Sequence, residues 1–63
     1  MENNIRKIRQ EKGLTIEELA HLANTSKAYI YHLENGTRKN PSYEIMKSIS
    51  QSLDKEIMDV FIF

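Results

Sequence analysis

A chain of 63 residues with no cysteine has to hold itself together by packing alone. Disulfides and thiolate zinc sites are excluded at once. The two histidines, His21 and His32, stand far apart, with no close-set carboxylates to complete a metal site. A domain this short lies near the lower limit of what folds without a covalent staple. The expectation is one domain over residues 1–63, with an apolar core sufficient by itself or with a partner subunit. No cofactor and no metal are expected.

The apolar spacing says what that core is made of. One proline and two glycines each fall at a break in helical periodicity. Ile5 and Ile8, with Arg9 a step further, predict a first helix that Gly13 ends. Thr15 followed by Glu18 is a capping-box pattern, which starts a second helix with Leu19, Ala20, Leu22 and Ala23 on its buried side. Ser26 caps a third helix, on which Ile30 and Leu33 recur three apart, and Gly36 stops it. Pro41 disfavours helix at Asn40, so residues 37–40 form a loop. Ser42 caps a fourth helix with Met46, Ile49 and Leu53 inward. A short fifth helix, capped by Asp54, carries Ile57, Val60 and Phe61. The fold class is all-α, built from five short helices.

Nine basic and nine acidic residues cancel to a formal charge of zero, so distribution matters more than the sum. Residues 24–40 hold Lys27, Arg38 and Lys39 against the lone Glu34. Residues 1–12 hold Arg6, Lys7, Arg9 and Lys12 against Glu2 and Glu11. Acid collects at Glu17, Glu18, Asp54, Glu56 and Asp59. A dipolar molecule with a basic face can still steer toward phosphates. The N-terminus shows no apolar run after its charges, so no signal peptide is expected. The apolar run at residues 60–63 is far too short to span a bilayer, so no membrane partner is expected. Cysteine absence fits a reducing, cytoplasmic compartment. Nothing pairs a nucleophile with a base, and no glycine-rich phosphate loop is present, which argues against an enzyme and a small-molecule substrate.

The second and third predicted helices carry the functional signal. Two helices joined by about three residues must cross steeply. Ala20 is small where they approach, Asn24 tolerates the positive φ expected at the turn, and Ile30 and Leu33 anchor the second of the pair. The stretches Ile5-Arg6-Lys7-Ile8-Arg9-Gln10-Glu11-Lys12-Gly13-Leu14-Thr15, Glu18-Leu19-Ala20, residues 26–30, Leu33-Glu34-Asn35-Gly36, Asn40-Pro41-Ser42 and the Ile49 and Leu53 pair resemble the Cro and phage-repressor family of helix-turn-helix proteins, the Xre type. The match covers residues 5–61, nearly the whole chain.

That resemblance implies a compact five-helix bundle of the lambda-repressor-like type, its helix-turn-helix at about residues 16–35. It implies a transcriptional regulator that binds double-stranded DNA at a palindromic operator as a homodimer, through the major groove. It also implies a buried pair of Arg9 with Glu34. The N-terminal part of the third helix reads bases, so Lys27, Ala28, Tyr29, Tyr31 and His32 are the base-reading candidates. Lysine can donate to guanine O6 and N7, and Ala28 can meet a thymine methyl. Phosphate contacts are expected from Thr15, Thr25, Ser26, Asn35, Arg38, Lys39 and Tyr43, at helix N-termini and in the loop after the third helix.

Three positions depart from the family pattern. Ile16 stands where a phosphate-holding glutamine is usual, Asn24 replaces a turn glycine, and Asp54-Lys55-Glu56 replaces a Gly-aliphatic-Ser entry to the fifth helix. Phe61, Ile62 and Phe63 are read as an apolar dimer patch; the alternative is that they fold back on the first and fifth helices. Ile16, the apolar tail and zero net charge together motivate a second function: a protein-interaction module of the same fold, with a partner protein in place of DNA.

Overall fold

The computed structural model describes residues 2–62 as β1 (Glu2–Asn3), α1 (Ile5–Glu11), α2 (Ile16–Leu22), α3 (Lys27–Glu34), α4 (Tyr43–Ser52), α5 (Ile57–Val60) and β2 (Phe61–Ile62). Helix starts follow the hydroxyl caps. Thr15, Ser26 and Ser42 precede α2, α3 and α4 in extended conformation, and each side chain accepts a backbone N–H from three residues on. In α2 the cap is reciprocal: Thr15 Oγ1 accepts from Glu18 N at 3.0 Å, and Glu18 Oε1 accepts from Thr15 N at 2.8 Å.

The helix ends are set by four residues in the left-handed region, Gly13 (φ 72°), Asn24 (57°), Gly36 (81°) and Asp54 (58°). After α1, α2 and α4, the next residue sends its amide back to a carbonyl inside the helix. The bonds are Leu14 to Arg9 at 3.0 Å, Thr25 to Ala20 at 2.9 Å and Lys55 to Ser50 at 2.9 Å. This is the closure that satisfies orphan carbonyls at a helix end. Asp54 therefore ends α4 and does not cap α5, as its sequence position had suggested. The cap falls on Glu56, whose amide donates to Asp59 Oδ2 at 3.2 Å.

The core takes residues from every helix: Ile5 and Ile8, Leu19 and Ala20, Ile30 and Leu33, Met46 and Ile49, and Val60 are buried. Leu22 was expected with them but is 56% exposed. Ile16, Leu19, Ala20 and Ala23 define the inward arc of α2, and at ~100° per residue Leu22 falls outside it. Phe61 extends the chain past α5 and does not continue the helix. It pairs antiparallel with Asn3, as Ile62 does with Glu2, and Asn4 N donates to Val60 O at 2.7 Å. This two-stranded seam was not expected from an all-helical pattern, because two-residue strands have no periodicity to read. Phe61 is 1% exposed, so it completes the core of its own chain and cannot serve as dimer surface. Ile62 is 45% exposed, and Phe63 lies outside the described residues.

Candidate nucleic-acid interface

On α3 the sequence sorts residues by face. Ile30 and Leu33 are buried, Tyr29 and Glu34 are half-buried, and Lys27, Ala28, Tyr31, His32 and Asn35 are exposed. At ~100° per residue the five exposed positions fall within an arc of ~140°, one continuous stripe along the helix. The Tyr31 and His32 rings meet edge to face, 5.4 Å between centroids.

The helix presenting this stripe is braced at both ends. At its start, Ser26 Oγ accepts from Tyr29 N at 3.0 Å. At its end, the Glu34 carboxylate receives Arg9 Nε at 2.7 Å and Arg9 Nη2 at 3.1 Å. Arg9 Nη1 donates to Leu14 O at 2.8 Å, so the same guanidinium also ties down the end of α1. Glu34 is 1% exposed at its side chain and Arg9 10%. Both work as architecture. Three further braces carry no sequence signal, being polar side chains in unremarkable positions. Asn3 Nδ2 donates to Leu33 O at 2.9 Å, Arg6 Nε reaches Glu34 at 3.4 Å, and Ser48 Oγ donates to Ala23 O at 2.8 Å, fixing α4 to the turn.

The other candidates stand at the starts of α2, α3 and α4 and in the loop after α3. Thr15 and Ser26 each accept one backbone N–H in capping, which leaves the hydroxyl proton free to donate. Thr25 is half-buried, while Lys39 and Tyr43 are exposed. Asn35 Oδ1 accepts both the amide (3.2 Å) and the hydroxyl (2.7 Å) of Thr37, so its carbonyl shapes the loop. Arg38 Cζ sits 4.9 Å from the Tyr29 ring centroid. Ile16 is half-buried and packs against the core. Among the described residues no three His, Cys, Asp or Glu side chains group as a metal site, and no helix is long and apolar enough to cross a membrane.

A helix pair joined by a tight turn, the second helix braced from within and bare outside, is the arrangement of a helix-turn-helix domain. The family model described as Helix-turn-helix matches residues 5–60, and the chain belongs to that family. It is 37% identical over 57 residues to the HTH-type transcriptional regulator SlrR of Bacillus subtilis, covering 90% of this chain and 38% of SlrR. Its fold is similar to the crystal structure of SinR, the master regulator for biofilm formation, in complex with DNA. There the TM-score is 0.81 at 34% identity, over 84% of each chain. It is also similar to the restriction-modification controller protein C.AhdI from Aeromonas hydrophila, with TM-score 0.85 and 33% identity over 90% of this chain and 85% of that one. The chain spans less than half the length of the curated regulators SlrR and SinR.

Proposed function

We propose that this chain is a sequence-reading DNA-binding module of a transcriptional regulator, entering the major groove with α3. The observation that carries the reading is the exposed stripe of α3 on a helix braced by Arg9 and Glu34, in a fold whose relative SinR was solved on DNA. Lys27, Ala28, Tyr31 and His32 face the base edges, Lys27 offering donors to guanine and Ala28 a methyl contact to thymine. Thr15, Thr25, Ser26, Asn35, Arg38, Lys39 and Tyr43, at helix starts and in the loop after α3, serve as phosphate contacts. Ile16 gives up the side-chain clamp of the usual glutamine and adds core packing, so the anchoring there falls to backbone amides. The role is regulatory and not catalytic, and the compartment is the cytoplasm.

The same proposal includes a homodimer on a palindromic operator, with half-sites roughly 34–36 Å apart. Ile62 remains available as part of its surface. A second reading, a protein-interaction module, is favoured by one observation. Tyr43 (64% exposed) and Met58 (79%) flank a largely apolar cleft with Met46 and Ile57 between α4 and α5.

Fluorescence anisotropy with several duplexes at several salt concentrations separates the two. The DNA reading predicts binding that weakens steeply with salt, prefers one duplex, and loses that preference in Lys27→Ala. Absence of binding to every duplex at about 50 mM salt, where phosphate contacts are strongest, favours the protein-partner reading.

A further inference from the structure

The loop after α3 departs from the other helix ends by one residue. After α1, α2 and α4, the residue just past the positive-φ position returns its amide to the helix. After Gly36 that residue is Thr37, but its amide is held by Asn35 Oδ1 at 3.2 Å. Arg38 takes the place instead, donating N–H to His32 O at 3.0 Å. The shift lays the Arg38 side chain along the flank of α3, with Cζ 4.9 Å from the centroid of the Tyr29 ring. Tyr29 is half-buried and packs against the core, so the ring is a fixed surface.

A cation over a ring face uses none of the five guanidinium N–H donors. The ion pairs formed among the described residues belong to Arg6 and Arg9, both with Glu34. Arg38 thus keeps its donors for an oxyanion beside the exposed stripe, and a planar fork suits two phosphate oxygens at once. We infer that Tyr29 is a positioning residue and not a base reader: its ring holds Arg38 against α3 so that the guanidinium grips a phosphodiester bordering the groove. The inference rests on the DNA-binding reading and adds to it which residue sets the phosphate grip.

The test measures affinity for a mixed-sequence duplex of about 20 base pairs, two helical turns, across a salt series. Arg38→Ala should lower the slope of log K against log salt by about 0.9, one phosphate contact. Tyr29→Leu should weaken binding about two- to five-fold, and adding it to Arg38→Ala should weaken binding no further. Tyr29→Phe keeps the ring and should restore affinity to within about two-fold of wild type. In the free protein, Arg38 δ-methylene protons should show an upfield ring-current shift in wild type and Tyr29→Phe. That shift should vanish in Tyr29→Leu. A loss in Tyr29→Phe equal to that in Tyr29→Leu would make the hydroxyl the contact and overturn the inference. Independent, multiplying losses for Tyr29→Leu and Arg38→Ala would overturn it too, as would an unshifted Arg38 in wild type. If the shift is present but wild type binds no duplex, the DNA reading itself has failed, and the inference falls with it. Should Tyr29→Leu not fold, wild type, Tyr29→Phe and Arg38→Ala still decide.

Discussion

Arg9 and Glu34 meet in a fork inside the domain, Nε to Oε2 at 2.7 Å and Nη2 to Oε1 at 3.1 Å, joining the end of α1 to the end of α3. A single-partner deletion leaves the other charge buried and unpaired, a loss of about 3–5 kcal/mol. Small cores rarely supply more than that. Glu34→Ala should therefore be largely unfolded at room temperature by circular dichroism. Replacing both partners, as Arg9→Met with Glu34→Leu, should recover most of the lost stability in a urea melt. A Glu34→Ala melt close to wild type would show that the pair does not brace α3.

The hydroxyls at Thr15 and Ser26 sit at helix starts, where stability and phosphate contact are superimposed. Alanine at either should cost about 1 kcal/mol in a thermal melt. Aspartate caps as well as serine does but carries a charge that repels phosphate. Thr15→Asp and Ser26→Asp should thus melt close to wild type while losing DNA affinity severalfold. Unchanged affinity at both would reduce the two residues to capping alone.

Much of this was legible because capping and periodicity are local. Thr15 with Glu18, Ser26 and Ser42 announce their helices, and Ile30 with Leu33 announces which face of α3 is hidden. The tail was not legible on the same terms. Phe61 is apolar two residues before Phe63, and nothing local says that it leaves the helix to pair with Asn3, a contact across almost the whole sequence. Asp54 was ambiguous for a different reason: aspartate suits both a helix N-cap and a left-handed stop, and the amide of Lys55 reaching Ser50 decides between them. The Arg38 placement depends on a one-residue shift in loop bonding, which no spacing rule records.

Asn24 closes α2 at φ 57°, a conformation that costs most residues with a Cβ about 1–2 kcal/mol. Asn24→Gly should leave the melting temperature nearly unchanged or slightly raised. Asn24→Val should lower stability by about 1–2 kcal/mol, the left-handed penalty for a branched side chain. Equal melts for the two variants would show that the turn relaxes out of the left-handed region.

Ser50 is 1% exposed, and its hydroxyl has no hydrogen-bond partner among the described residues. A buried unpaired hydroxyl is destabilising, and alanine is the better helix former. Ser50→Ala should stabilise the domain by about 1 kcal/mol, raising Tm by roughly 4–8 °C in a chain of this size. A lower Tm would mean that the hydroxyl has a partner that matters.

Which surface meets DNA is tested most directly by backbone-amide chemical-shift mapping during titration with the duplex the protein prefers. Perturbed amides should concentrate at residues 15–16, 26–32 and 36–39, with saturation that tracks the anisotropy curve. Shifts centred on the cleft between α4 and α5, or on the outer face of α1, with α3 unmoved, would contradict it.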